Sequence, residues 1–186
     1  MILALIIAQF SSCQTIVPRG TIHVPSGAYV KDINNSFTPY IGTWEGTVNN
    51  KKYTFKFTKF EKYLKTNSDG YAFYKDYMLG NFKVTDLSTG LILYDNLSAT
   101  EYENFRMSGN PIPTRGICFF SFLDTEANCS NGLEFMLRKI KGQPNQLTYC
   151  DFQVDDFWKF WDCPAYPDRT NIPIFLPRQD FILTKI

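Results

Sequence analysis

The fold is indicated most strongly by the stretch YIGTWEGTVNNKKYTFKFTKF, in which large rings alternate with polar side chains. Tyr53, Phe55 and Phe57 occupy every second position, and lysines and threonines lie between them. Such alternation is typical of a β-strand with one buried face and one face in water. Asn49-Asn50 precedes this run, and asparagine tolerates the positive φ of a tight turn. The stretch therefore predicts a β-hairpin.

A two-residue turn fixes which residues face each other across this hairpin. On the face predicted to be buried, each pair joins a large ring to a glycine or a tryptophan: Gly42 with Phe57, Trp44 with Phe55, and Gly46 with Tyr53. Small residues opposite large ones let a tightly curved sheet enclose rings. We therefore expect Trp44, Tyr53, Phe55 and Phe57 to line the inside of a barrel.

More strand-like runs follow at short intervals, separated by turns rich in Gly, Asn and Pro. They are YAFYKDYM, NFKVTD, LILYD, RGICFFSFL, GLEFMLRKI, QLTYCDFQV and RQDFILTKI. Closely spaced strands without helical patterns between them indicate an antiparallel barrel or sandwich. The predicted fold class is all-β, an antiparallel barrel of about 8–10 strands. One short helix or loop is expected near 155–163.

The chain begins with a short apolar run, ILALIIA, which is followed after a few residues by Cys13. A membrane-spanning helix needs about 20 apolar residues, whereas the apolar region of a signal peptide needs roughly 7 to 15. Ser11, Ser12 and Cys13 resemble the lipobox of bacterial lipoproteins, in which the cysteine is acylated and begins the mature protein. The alternative is a buried N-terminal strand with an ordinary cysteine.

The lipobox resemblance implies a division of the chain. Residues 1–12 would be a signal peptide, 13–36 a lipid-anchored tether rich in prolines and glycines, and 37–186 the barrel domain. Lipid on Cys13 would hold the protein at the outer membrane of the cell envelope, on the periplasmic or the outward-facing side.

Four further cysteines form an even set: Cys118, Cys129, Cys150 and Cys163. Disulfides persist in an envelope compartment, and four cysteines allow three connectivities. We expect the neighbours to pair, Cys118 with Cys129 and Cys150 with Cys163, because each bond closes a short, turn-rich loop. The alternative is buried thiols. No CxxC spacing occurs, which disfavours a zinc site.

The segment VDDFWKFWDCPAYP breaks the strand pattern. It predicts either a short helix, with Asp155 as its N-cap and Pro164 beyond its end, or a disulfide-closed loop. Trp158 and Trp161 would share one face of the helix, and Tyr166 follows. Exposed aromatic residues of this kind are typical of surfaces that contact a protein or glycan partner. The alternative is a plug that covers one end of the barrel.

Charge and histidine content disfavour several functions. A net charge of +1 produces no long-range field that would attract nucleic acid. The single histidine, His23, lies in the Pro/Gly-rich segment, which disfavours catalysis by Ser-His-Asp or Cys-His groups. Asp155 and Asp156 are adjacent and point in different directions, so they are poorly placed to flank a glycosidic bond. We expect no catalytic residues, cofactor or metal, and a monomer.

Gly42-x-Trp44 resembles the opening motif of lipocalin-like proteins, in which the tryptophan closes one end of the barrel. The stretches GAYVKDINNSFTPYIGTWEG, YKDYMLGNFKVTD and LPRQDFILTKI resemble a family of small lipocalin-like lipoproteins of Gram-negative bacteria without assigned activity. This resemblance covers most of residues 27–100 and the last strand. It implies a lipocalin-like barrel whose interior rings either line a site for a small apolar ligand or fill the space themselves.

Overall fold

The computed structural model describes residues 13–124, 131–154 and 173–186. These residues form eleven β-strands and two single-turn 310 helices, Tyr102–Asn104 and Pro113–Arg115. No helix among them is long and apolar enough to cross a membrane. The strands are β1 (Ile16–Pro18), β2 (Tyr29–Lys31), β3 (Gly42–Val48), β4 (Lys51–Thr66), β5 (Ala72–Asp86), β6 (Ile92–Asp95), β7 (Met107–Ile112), β8 (Ile117–Asp124), β9 (Asn131–Ile140), β10 (Gln143–Val154) and β11 (Phe181–Lys185).

The chain divides into two compact units. Of the described residues, the smaller unit comprises 13–33 and Lys62–Asp76, and the larger unit comprises Asn34–Glu61, 77–124, 131–154 and 173–186. β4 and β5 therefore contribute residues to both units. In the smaller unit β1 pairs in parallel with β2, and β2 pairs in parallel with β5. The segment 13–36, which was expected to be a tether, thus contains two short strands. Its boundaries stay a prediction.

A closed barrel of eight strands is the main feature of the larger unit. Around the barrel the strands follow the order β5, β4, β3, β11, β10, β9, β8 and β7. β7 then pairs with β5, with Met78 opposite Gly109, and this pairing closes the sheet. The prediction of an all-β, antiparallel barrel is confirmed, and the closed barrel of eight strands is consistent with a lipocalin-like fold. The helix or loop expected near 155–163 lies outside the described residues.

The β3–β4 hairpin has the register that its turn predicts, pair by pair. Asn49 and Asn50 have positive φ angles of 50° and 57°, as a type I′ turn requires. On the outer face Thr54 Oγ1 donates a hydrogen bond of 2.8 Å to Glu45, and Lys52 Nζ lies 2.8 Å from the other carboxylate oxygen. Partial burial would raise the pKa of Glu45, but these two partners hold it below its usual value.

The two glycines of β3 make room for β11, which corrects the expectation that they accommodate the rings of β4. A side chain at Gly46 would collide with the carbonyl oxygen of Ile182 and, at 2.7 Å, with the ring of Phe181. At Gly42, where φ is +124°, it would come within 2.7 Å of the Lys185 side chain. These close approaches let β11 pack tightly against β3.

The glycine that makes room for the interior ring of Phe57 is Gly80 in β5. A side chain there would lie 2.6 Å from the ring of Phe57. Inward-pointing residues alternate with outward-pointing ones along β5, as they do in every barrel strand. A small residue therefore does make room for a large ring in this barrel. For Phe57 that residue is Gly80 in β5, the strand that follows β4.

Candidate functional site

Trp44, Tyr53, Phe55 and Phe57 are all buried in the barrel core, where Trp44 and Phe55 have no exposed surface. β4 and β9 lie on opposite sides of the barrel. The rings of Phe55 and Phe135 nevertheless meet across it, with their centroids 6.1 Å apart. An eight-stranded barrel is just wide enough for side chains or for one small ligand. At this level the interior is filled by side chains.

Polar atoms in the interior bond to the protein itself. The indole nitrogen of Trp44 donates to the carbonyl oxygen of Tyr40 at 2.7 Å. The hydroxyl of Tyr149 donates to the carbonyl oxygen of Pro177 at 2.9 Å. Burial raises the pKa of both Tyr40 and Tyr149, so their hydroxyls stay protonated at neutral pH. These groups already have the partners that an interior ligand would have to offer.

The turn before β3 packs against Trp44. Phe37 and Tyr40 from this turn are buried in the same core cluster as the tryptophan. Lys185 Nζ, from the last strand, lies 5.3 Å from the centroid of a Trp44 ring, within the range of a cation–π contact. These contacts enclose Trp44, and the end-closing role that the resemblance implies for it stays a prediction.

A pocket of about 330 Å³ lies on the outside of the barrel wall. The strand register places Leu79, Ser108, Ser121 and Glu134 in one row across β5, β7, β8 and β9. Neighbouring residues in a strand point to opposite faces. Because Phe122 and its equivalents on the other strands are buried in the core, this row points outward. The row forms the floor of the pocket.

The other walls of the pocket come from a second outward-facing row and from the segment that precedes β7. Arg106 lies beside Leu123, whose backbone N–H donates to the Arg106 carbonyl oxygen at 3.0 Å, and Leu123 is paired with Gly132. Tyr102, from the first 310 helix, and Phe105 complete the lining. We call this site the outer pocket.

Ring contacts hold the aromatic wall of the outer pocket in place. Phe60 packs edge-on against Tyr102 and Phe105, with centroid distances of 5.9 and 5.0 Å. Tyr77 packs against Tyr102 at 5.4 Å. Burial raises the pKa of the Tyr102 hydroxyl. Edge-to-face pairs of this kind stabilise a fixed arrangement of rings, so the aromatic wall is preformed.

The lining of the outer pocket is mostly apolar and contains one positive and one negative side chain. Leucines and aromatic rings make most of its surface apolar, and the hydroxyls of Ser108 and Ser121 lie on its floor. Arg106 and Glu134 supply one positive and one negative charge, and Arg106 forms no ion pair with any described residue.

The sequence did not predict the outer pocket. β7 has the sequence MSGNPI, in which glycine, asparagine and proline read as turn residues. β7 lies between β5 and β8. Unless β7 is recognised as a strand, the residues of β5 cannot be aligned with those of β8 and β9. Tyr102 and Phe105 carried no signal either, because isolated aromatic residues in a loop are common.

Cys13, the predicted lipid anchor, is exposed and lies just before β1. The chain that follows it is tied to the smaller unit. Gln14 Nε2 donates a hydrogen bond of 2.8 Å to the carbonyl oxygen of Gly27. The N–H of Tyr29 donates one of 2.8 Å to the carbonyl oxygen of Thr15. A group attached to Cys13 would therefore be held close to this unit.

The predicted disulfides are not supported. Cys118 and Cys150 are buried, and no disulfide is found among the described residues, which do not include Cys129 and Cys163. The pairing of Cys118 with Cys129 and of Cys150 with Cys163 therefore stays a prediction.

The aromatic residues predicted to contact a partner, Trp158, Trp161 and Tyr166, lie outside the described residues, as do Asp155 and Asp156. Their roles stay predictions. Among residues 13–124, 131–154 and 173–186, no three His, Cys, Asp or Glu side chains are grouped so that they could hold a metal ion.

Comparison with known proteins assigns the chain to a family without assigning it an activity. No curated protein and no solved structure matches it. One family model, described as a family of unknown function, matches residues 1–186. The chain therefore belongs to this family, DUF6705.

Proposed function

We propose that this protein is a lipid-anchored, non-catalytic binding protein of the cell envelope that holds a small, largely apolar ligand in the outer pocket. The observation that carries the proposal is the contrast between the two candidate sites. Rings from opposite walls meet in the barrel interior, with Phe55 and Phe135 6.1 Å apart. The outer pocket, by contrast, has about 330 Å³ of space.

The outer pocket has the size and the lining that a small ligand requires. Its volume is at the lower end of the range of roughly 300–1,000 Å³ typical of ligand sites. Leu79, Leu123, Tyr102 and Phe105 would contact the apolar body of the ligand. Arg106, which forms no ion pair with any described residue, would contact a polar or anionic group at its end.

The anchor rests on sequence and on the position of Cys13. The residue follows a short apolar run and the two small residues of a lipobox. It is exposed, so its thiol is accessible to an acylating enzyme. We propose an outer-membrane location, a monomeric state, no role in nucleic-acid binding and no enzymatic activity.

The ligand site is tested by filling it. Ser108 is exposed on the pocket floor, and in Ser108→Trp an indole occupies the space between the walls. The probe is N-phenyl-1-naphthylamine, a small apolar dye that fluoresces when it leaves water. We expect saturable binding to the unchanged protein and at least about tenfold weaker binding to Ser108→Trp, because excluded volume removes most of the contact area.

The matched control is Thr47→Trp, which adds the same ring at an exposed outward position of β3, away from the pocket lining. It should bind the dye as the unchanged protein does. Far-UV circular dichroism and the melting temperature check that both variants fold. Equal dye binding by Ser108→Trp and Thr47→Trp, with both folded, would refute the outer pocket as the site.

The anchor is tested by mass spectrometry of protein purified from its own membranes with lipid retained. We expect a mature chain that begins at Cys13 and carries the added mass of acyl groups. A chain that begins at Met1 with an unmodified Cys13 would overturn the anchor and the proposed location. The same spectrum, recorded under native conditions, would reveal a ligand that copurifies with the protein.

A further inference from the structure

We propose that the smaller unit binds the headgroups of anionic lipids through a cationic cluster, defined as Arg19, Lys65 and Lys75, beside the anchor. This surface would fix the orientation of the smaller unit on its membrane, which ligand binding in the outer pocket does not require. The inference rests on the proposed anchor at Cys13 for its biological setting, and its own test does not need the lipid.

Charge is unevenly distributed along the chain. The described residues of the smaller unit contain five cations and three acids: Arg19, Lys31, Lys62, Lys65 and Lys75, with Asp32, Asp69 and Asp76. The unit thus has a surplus of two positive charges, whereas the whole chain has a net charge of +1. Asp32 and Asp76 are buried, so Asp69 is the only exposed acid in the described part of this unit.

The parallel sheet of the smaller unit places Lys75 two strands away from β1, the strand that Arg19 follows. Val17 in β1 is paired with Val30 in β2, and Val30 is paired with Lys75 in β5, so these side chains share one face. Arg19 follows β1 directly, in the turn after Pro18. Burial and the positive charges of Lys65 and Arg19 lower the pKa of Lys75.

Close cations repel one another, and partial burial of Lys75 removes water that would otherwise screen that repulsion. A bound anion offsets both costs. Phosphate-bearing groups are well matched to such a cluster, because Arg and Lys donate charge-assisted hydrogen bonds to phosphate oxygens. The chemistry of the cluster therefore favours an anionic partner with phosphate groups.

The position of the anchor identifies that partner as a lipid surface. Cys13 is four residues from Val17, a distance that the chain spans in about 14 Å at most. Ile22, three residues after Arg19, is 88% exposed. Exposed apolar side chains beside cations are typical of proteins that lie on a membrane surface. Each cation near an anionic bilayer adds to the affinity.

The test uses the full chain with Cys13→Ser, so that no lipid is attached. It is sedimented with vesicles of phosphatidylglycerol and phosphatidylcholine in equal parts, and with vesicles of phosphatidylcholine alone. We expect binding to the anionic vesicles that weakens as salt is added, and little binding to the neutral ones. Equal binding to both kinds of vesicle would overturn the proposal.

Charge reversal locates the surface. Lys65 is exposed, and Lys65→Glu should weaken binding to anionic vesicles by about tenfold, with a larger loss in the double variant Arg19→Glu/Lys65→Glu. Lys56→Glu is the control, since Lys56 is an equally exposed strand lysine in the larger unit. All variants retain residues 1–12, so the differences between them report on the substituted side chains.

The outcomes separate this inference from the proposed function. If Lys65→Glu and Lys56→Glu bind anionic vesicles alike, the cationic cluster is not the membrane-binding surface, whatever the mass of Cys13. A second outcome is that Cys13 from native membranes is unmodified, while Lys65→Glu loses vesicle binding and Lys56→Glu does not. The proposed anchor is then wrong, and the proposed lipid-binding surface is supported.

Discussion

Asp76 is a fully buried carboxylate whose two oxygens accept three hydrogen bonds in the smaller unit. Oδ1 accepts from the hydroxyl of Tyr29 at 2.5 Å and from the N–H of Lys62 at 3.0 Å, and Oδ2 accepts from the N–H of Asp32 at 2.9 Å. Lys62 has a φ of 53°, a backbone conformation that residues other than glycine rarely adopt. The carboxylate thus joins β2, β4 and β5 and stabilises an unfavourable backbone conformation.

Replacing this carboxylate by an amide tests its role at the residue scale. In Asp76→Asn one acceptor oxygen becomes an NH2 group that faces a donor, so at least one buried hydrogen bond is lost. We expect a loss of about 1–3 kcal/mol in the free energy of unfolding, measured with urea. Asp69→Asn, at an exposed turn position, should change it by less than about 0.5 kcal/mol. Equal effects would show that Asp76 contributes no more than a surface charge.

The β3–β4 hairpin is the element whose structure follows most directly from its residues. Its turn fixes the register, and both asparagines of the turn have positive φ. Asn50→Ala should destabilise the protein by about 1 kcal/mol, because alanine resists the left-handed conformation. Asn50→Gly should be neutral or stabilising. Thermal unfolding of the two variants checks this, and equal stability of Asn50→Ala and Asn50→Gly would contradict the type I′ turn.

Other elements show where prediction from sequence fails. β8 to β11 follow the predicted runs closely, because each run is rich in aromatic and aliphatic residues. β5 was expected as two pieces and is one strand of 15 residues. β7 was missed because Pro111 and Gly109 suppress the strand signal. The role of Gly46 required knowledge of its neighbour in β11, which local sequence does not contain.

At the scale of the whole molecule, its high aromatic content decides where a ligand can bind. The chain has 17% aromatic residues, and those of the core fill the barrel at the level of Phe55. Trp44, Tyr53, Phe55 and Phe57 lie in the buried core, and the sequence left open whether such rings line a cavity or fill it. That choice depends on distances between strands that are far apart in sequence, such as β4 and β9. The outer pocket depends on the register of four strands. It could not be predicted from the sequence, because that register also depends on contacts between strands that are distant in sequence.

Buried tyrosines predict how the whole molecule responds to alkali. Burial raises the pKa of Tyr40, Tyr53 and Tyr149, and it raises the pKa of the Cys150 thiol to about 11. A raised pKa in the folded state contributes stability below the unfolded-state pKa, near 10 for tyrosine, and that contribution is lost as the pH rises further. The folded protein should therefore lose stability above about pH 9–10.

Absorbance at 295 nm, which reports tyrosinate, can be recorded with circular dichroism over the same pH range. Of the 11 tyrosines, the buried ones should ionise only as the circular dichroism signal of the fold disappears. A single transition near pH 10 that includes every tyrosine while the fold stays intact would be incompatible with their burial.

The account depends most on the barrel being filled and the ligand space lying outside it. A crystal structure under xenon pressure tests this directly, because xenon enters apolar spaces that side chains leave empty. We predict xenon in the outer pocket, between Phe105 and Leu123, and none between Phe55, Phe135 and Tyr149. Xenon bound among those three interior rings, with the outer pocket empty, would contradict the account and return the ligand site to the barrel interior.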